Sequence, residues 1–250
     1  MVRAKKSLGQ NFLMHRRIAE RIADAAGLSP EDVVFEIGPG TGVLTRALIG
    51  RAGKVIALEA DGELYEELKG TFAREIADGK LELIHGDIRA FDASALPEGY
   101  RLVANIPYYL TGEIIRGFLE RAHQPKSMTL LVQKEVAERI ARAKKESILS
   151  LSVKAYGAPK YEFTVPRGAF RPAPNVDSAV LSIQGISRKN FSSRAEEKRF
   201  FDLLHAGFAH KRKLLAGNLA GIGVPPEIIP EKARAEDLPL SAWLGMVRAV

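Results

Sequence analysis

Asn105-Ile106-Pro107-Tyr108 sets a carboxamide, a rigid turn and an aromatic ring side by side. That combination suits chemistry at the exocyclic amine of a nucleobase. Such an amine is a poor nucleophile because its lone pair is conjugated into the ring. The side-chain oxygen of Asn105 and a backbone carbonyl at Ile106 or Pro107 would accept both N–H hydrogens and localise that lone pair. Pro107 fixes the direction of the backbone, and Tyr108 offers a face on which a base drawn out of its helix can stack. No strong general base is needed, since the alkylated ammonium loses a proton readily to water. A plain turn ended by proline is the other reading of these four residues.

A second group of residues marks a place for the reagent. Gly38-Pro39-Gly40-Thr41-Gly42 follows Glu36 and the apolar run Val33-Val34-Phe35. Glycines let a backbone turn tightly and bring N–H groups close to a ligand. Dinucleotide sites carry G-x-G-x-x-G; here the third glycine comes one residue early and Val43 stands in its place. The spacing suits a nucleoside ligand without a pyrophosphate, S-adenosylmethionine in particular. Its sulfonium would drive an in-line displacement held by proximity and orientation. Glu59 lies 19 residues beyond Gly40, where a carboxylate accepts ribose hydroxyls in other nucleotide folds. Asp87, in His85-Gly86-Asp87, is placed for the adenine amino group, while His85 itself is expected to pack rather than react.

These residues need a scaffold that brings them to one edge. Strand-like runs at 33–37, 54–59, 81–85, 101–105 and 127–132 alternate with helical patterns, which predicts a mostly parallel, doubly wound sheet with helices on both faces. Val55-Ile56-Ala57-Leu58 is continuously apolar, as a strand covered on both faces requires. Ligands in such folds bind at the carboxyl ends of the strands, and Glu59, Asp87 and Asn105 all fall there. A helix is expected from near His15 to Gly27 and another over 61–77. Residues 135–145 read as helix, 148–156 as helix or strand, and 161–166 and 177–183 as strands joined by the loop Arg171-Pro172-Ala173-Pro174. A polar stretch at 187–193 leads into a helical remainder. The expected organisation is a catalytic α/β domain over 1–185 with a small helical domain over 186–250.

Composition bounds the rest. The chain has 250 residues, 46% hydrophobic and 27% charged, enough for a sizeable core. It has no cysteine, which excludes a disulfide framework, a thiol nucleophile and a thiolate metal site. No apolar run approaches the roughly 18 residues of a membrane span, and a basic N-terminus without an apolar segment after it is no signal peptide. A cytoplasmic location is expected, with no membrane partner and no metal. The net charge of +7 points to an anionic partner. Much of it gathers in Arg3, Lys5 and Lys6 near the start and in His210-Lys211-Arg212-Lys213 near the end, where RNA phosphates are the expected contacts.

Taken together, Gln10-Asn11-Phe12-Leu13, Glu36 to Gly42, Asn105 to Tyr108 and the run from Phe170 to Val180 (FRPAPNVDSAV) resemble the ribosomal RNA adenine dimethyltransferases in both order and spacing. These are class I S-adenosylmethionine-dependent enzymes, and the resemblance runs from about residue 5 to about residue 220. It implies that Asn11 and Leu13 line the cofactor pocket, and that Gly38 and Gly40 meet the cofactor. It places Glu59 at the ribose, Asp87 at the adenine, and Asn105 against both cofactor and target amine. It also makes Phe170 the second wall of the adenine slot, opposite Tyr108; without it, a lone Phe before a Pro-rich loop reads as core. One branch of the family dimethylates two adjacent adenosines near the 3′ end of small-subunit rRNA. The other methylates large-subunit rRNA and confers macrolide-type resistance. The Val-Asp-Ser-Ala-Val run and the late basic segment resemble the first, which implies small-subunit rRNA or an assembling small subunit as the partner; a monomer is the default expectation. A binding factor that kept the fold and lost catalysis is a third possibility, against which the intact Asn105–Tyr108 motif speaks.

Overall fold

The computed structural model describes residue 5 and residues 9–249. A short strand, β1 (Phe12–Leu13), precedes helix α1 (Arg16–Ala25). Strands and helices then alternate: β2 (Val33–Ile37), α2 (Val43–Ile49), β3 (Lys54–Glu59), α3 (Gly62–Thr71), α4 (Ala73–Ala77), β4 (Leu81–His85), β5 (Arg101–Asn105), α5 (Thr111–Glu120), β6 (Ser127–Gln133), α6 (Lys134–Ala141) and α7 (Ile148–Tyr156). After β7 (Ala158–Val165), β8 (Phe170–Arg171) and β9 (Ser178–Gln184) the chain ends in α8 (Arg194–Gly207), α9 (Leu215–Asn218) and α10 (Leu240–Arg248).

Seven strands form one sheet in the order β4-β3-β2-β5-β6-β9-β7. Its first five strands are parallel, and β9 runs antiparallel to both β6 and β7. The chain winds outward from β2 to β4 and then returns to lay β5 against the other side of β2. The crevice where the winding reverses, outside the ends of β2 and β5, is where ligands bind in open α/β sheets.

Alternate residues of each strand feed two apolar layers, one on each face. Phe35, Ile56, Leu102 and Leu130 enter one; Val34, Val55, Val103 and Leu131 enter the other. The second layer is closed by α1 and α2 and carries Leu13 of β1. The first also takes in Phe200 of α8 and Trp243 of α10, so the helical end of the chain packs onto the same core as the sheet. Tyr156 donates to Glu197 of α8 at 2.5 Å, and Arg188 pairs with the same carboxylate at 3.1 Å.

Strands β2 to β5 fall on the ranges predicted for them. Two helical expectations change. The helix expected over 61–77 divides at Phe72, whose backbone leaves the helical region at φ −115. Its buried ring then sits under the glycine loop, where a Cβ on Gly42 would lie 2.5 Å from it. Residues 148–156 are helix because Ser147 begins them with a capping box: Ser147 Oγ accepts from Ser150 N at 3.1 Å, and Ser147 N donates to Ser150 Oγ at 2.7 Å. Among the described residues no helix is long and apolar enough to cross a membrane, and no cluster of acidic residues and histidines could hold a metal ion.

Candidate active site

The loop after β2 is built on three left-handed residues, Gly38 (φ 67), Gly40 (φ 58) and Gly42 (φ 77). Side chains other than glycine rarely take that conformation. Gly38 N donates back to Leu58 O at 2.9 Å, which ties the loop to the end of β3. Glu59, the last residue of β3, is 5% exposed. Its carboxylate accepts from Gly40 N at 3.0 Å and from Asp61 N at 2.9 Å. Burial pushes its carboxyl above the usual range, and those two backbone N–H groups oppose the shift.

A cavity opens beside this carboxylate, outside the ends of β2, β3 and β5. Asn11, Leu13, Gly38, Gly40, Glu59, Asp87, Asn105, Pro107 and Tyr108 all line it. Asp87 is exposed and accepts from Arg89 N through one oxygen, at 2.9 Å. Asn105 Nδ2 donates to Asn11 O at 3.1 Å, which leaves Oδ1 as a free acceptor. Tyr108 Oη and Ser178 Oγ share a hydrogen bond of 2.7 Å. Burial raises its phenol above the ordinary value, so the ring is neutral in the physiological range. Tyr109 also lines the cavity and is 58% exposed.

Other expected residues lie elsewhere. Phe170, in β8, pairs with Leu13 of β1, is 2% exposed and does not line the cavity. It occupies the core position that its surroundings in sequence suggest. Lys5 Nζ is turned onto Asp61 at 2.8 Å and Glu63 at 3.2 Å, so it is neutralised within the chain. Arg3 and Lys6 lie outside the described residues. Lys211, Arg212 and Lys213 are exposed in the turn after α8. His85 stacks on Tyr65 with ring centres 5.1 Å apart and does not line the cavity.

The lining fits an adenosine-bearing cation better than a pyrophosphate. Two carboxylates, Glu59 and Asp87, face the cavity. Its one lining cation among the described residues, Arg89, is paired with Glu113 at 3.2 Å. Glu59 keeps lone pairs for two hydroxyls beyond the two N–H groups it holds. S-adenosylmethionine carries a ribose, an adenine amino group and net positive charge at the sulfur, and each has a matching acceptor or field here.

Glu36, beneath the loop, escaped the sequence reading as a titrating group. It is 1% exposed, and neither of its oxygens has a hydrogen-bond partner. Burial pushes its carboxyl up to about 8; the Thr45 hydroxyl opposes this without forming a good hydrogen bond, and the nearby Glu59 charge reinforces it. The folded protein therefore holds a proton between about 4.5 and about 8 that the unfolded chain has lost, so stability falls as pH rises through that window. Glu36→Gln removes this dependence. Urea unfolding at pH 5.5 and 8.5 will show the variant gaining on the parent protein at the higher pH; a constant difference would contradict the burial of a protonated acid.

The comparisons with known proteins agree with this geometry. The family described as ribosomal RNA adenine dimethylase matches residues 1–242. A ribosomal RNA small subunit methyltransferase A from Dehalococcoides mccartyi is 40% identical over 256 residues, covering 97% of this chain and 87% of that protein. Its counterpart from Deinococcus radiodurans is 39% identical over 261 residues, covering 97% and 86%. Among solved structures, the 23S rRNA methyltransferase ErmE superposes with a TM-score of 0.80 at 25% identity, covering 96% of this chain and 99% of its own. A dimethyladenosine transferase from Plasmodium falciparum does so at 0.79 and 26%, covering 94% and 95%.

Proposed function

Because this chain belongs to the ribosomal RNA adenine dimethylase family, and so is an S-adenosylmethionine-dependent methyltransferase, we propose that it dimethylates N6 of two adjacent adenosines near the 3′ end of small-subunit rRNA. The single observation that carries the chemistry is Asn105. Its Nδ2 is held on the Asn11 carbonyl and the residue lines the cavity, which leaves Oδ1 to serve as the acceptor.

The cofactor supplies a methyl group on a positively charged sulfur. The chain's own residues do the rest. Glu59 and Asp87 hold the adenosine part, and the Gly38–Gly42 loop admits the remainder close to the backbone. Asn105 Oδ1 and the carbonyl of Ile106 or Pro107 accept the two N6–H hydrogens, which turns the nitrogen's lone pair out of the ring's conjugation. Tyr108 stacks on the extruded base. With the cofactor held there, N6 would take the methyl carbon as the sulfur leaves with the electron pair of its bond, and N6 would then lose its proton to water. The monomethylated amine keeps one N–H, so a second round would hold it through one of these two acceptors, with the first methyl group in the place of the other hydrogen.

Substrate choice follows the relatives in part. The small-subunit enzymes named above are about 40% identical to this chain, against 25% for ErmE, a 23S rRNA enzyme. We assign residues 1–185 to catalysis and 186–250 to RNA docking, on a single chain working on the assembling small subunit in the cytoplasm. Lys211, Arg212 and Lys213 support that docking role, since all three are exposed in one turn; the groove that Lys211 and Lys213 line is mixed in charge, with Glu146 and Glu236 beside Arg139 and His210. Lys5 is engaged with Asp61, so of the residues expected to meet phosphate, Lys211, Arg212 and Lys213 are the described ones left for it. Replacing Lys211, Arg212 and Lys213 with alanine will weaken subunit binding and lower the salt slope by roughly 0.7–0.9 for each phosphate no longer neutralised. An unchanged slope would place the RNA elsewhere. The substrate itself is tested by offering unmethylated small and large subunits side by side with labelled cofactor. Label in the small subunit alone is expected, and label in the large subunit would favour the resistance-type activity.

A further inference from the structure

We propose that Asp61 is a positioning residue for the cofactor site, clamping the chain's N-terminal strap, residues 9–13, across the cavity. The proposal rests on the cofactor reading above and extends it to a residue outside the cavity lining.

Asp61 begins α3, and its side chain is fully buried. One of its bonds is the ordinary cap of that helix, an acceptance from Glu63 N at 3.1 Å. A cap asks for no more than that. Yet two further donors reach it from more than 50 residues earlier: Lys5 Nζ at 2.8 Å and Gln10 Nε2 at 3.0 Å. Gln10 is held at its other end as well, since its Oε1 accepts from Lys5 N at 2.7 Å. Burial works against the Asp61 charge, but the bonds from Lys5 and Gln10 outweigh it and hold the carboxyl below the usual range.

The strap is fastened on the far side of the cavity too. Phe12 and Leu13 pair with Arg171 and Phe170, and Met14 N donates to Ala169 O at 2.9 Å. Between the two fastenings, residues 9–13 form one wall of the cavity, and Asn11 O receives the Asn105 amide. Asp61 also touches the opposite wall, because its backbone N–H orients Glu59. One residue thus meets the strap through its carboxylate and the ribose acid through its backbone N–H, and the strap it holds reaches the catalytic amide through Asn11.

The two fastenings differ in kind. The far one is buried apolar strand pairing, with Leu13 4% and Phe170 2% exposed. The near one depends on a lysine whose side chain is 39% exposed, and it is the end that can release. Dimethylating two adenosines consumes four cofactor molecules, so spent cofactor must leave the cavity and fresh cofactor enter between transfers. The Asp61 clamp is placed to set that exchange.

Two variants test this. Asp61→Asn keeps an oxygen for the helix cap and removes the charge. Lys5→Met removes the ion pair and leaves Asp61 and α3 untouched. Both are expected to raise the KM for S-adenosylmethionine, and the Kd for S-adenosylhomocysteine in calorimetry, by roughly tenfold, as loss of a charged hydrogen bond predicts. Saturated kcat is expected to stay within about twofold. Amide exchange over residues 9–13 is expected to quicken in both, with added S-adenosylhomocysteine restoring less protection than in the parent. A parent protein that binds S-adenosylhomocysteine, with both variants unchanged in KM and exchange, would leave Asp61 a helix cap only and overturn the clamp. A parent protein that binds none would overturn the cofactor reading beneath it.

Discussion

Asn105→Ala is expected to lower kcat by on the order of 10²–10³-fold while leaving affinity for RNA within about twofold. The size follows from removing one preorganised hydrogen-bond partner at the reacting atom. Without Oδ1 one N6–H loses its acceptor, and the lone pair stays in the ring. The Asn11 carbonyl loses its donor as well, so the strap that lines the cavity is loosened at its centre. Asn105→Asp separates these effects. It keeps an acceptor for the amine but sets a carboxylate against the Asn11 carbonyl, and it should fall between alanine and the parent. Single-turnover methylation with saturating RNA measures both variants. Alanine activity within tenfold of the parent would remove Asn105 from the reaction.

The second large effect lies at Glu59. Glu59→Ala is expected to weaken binding of S-adenosylhomocysteine by roughly 10²–10³-fold, since hydrogen bonds to a charged group contribute about 1.5–3 kcal/mol each. The substitution also strands two buried donors, Gly40 N and Asp61 N, so the glycine loop and the start of α3 both lose their tie to β3. Glu59→Gln retains one acceptor and should lose less affinity. Calorimetric titration reports the loss directly, and rescue of kcat at high cofactor concentration shows that it is a loss of binding. Affinity within threefold of the parent for the alanine variant would move the ribose elsewhere.

The sheet was legible in the sequence because its strands are covered on both faces and therefore read as unbroken apolar runs. Lys54–Glu59 and Arg101–Asn105 could be bounded by residue type alone, and the site residues at their ends followed from the rule for parallel sheets. Helix 148–156 was not legible by periodicity: six of its nine residues are buried, two of them serines, so its apolar residues mark no single face, and the Ser147 cap that decides it is a local contact. The break at Phe72 was hidden for a different reason, since the ring turns inward to pack beneath Gly42, a residue 30 positions away. Asp61 shows the same limit at the site. In sequence it reads as a helix cap, and only the fold reveals that Lys5 and Gln10 reach it. Phe170 shows the converse, where residue context pointed to core and the family resemblance to a slot wall; the structure buries it.

Nucleoside mass spectrometry of the methylated product decides whether the chemistry assigned to Asn105 is the chemistry performed. Small subunits isolated without these modifications would be incubated with the protein and S-adenosylmethionine, and the modified positions mapped along the rRNA. The expected product is N6,N6-dimethyladenosine at two adjacent adenosines near the 3′ end, with N6-monomethyladenosine passing through as an intermediate and both formed on the order of 10²–10³-fold more slowly by Asn105→Ala. Methylation at a ring nitrogen, or N6 methylation confined to the large subunit, would contradict it.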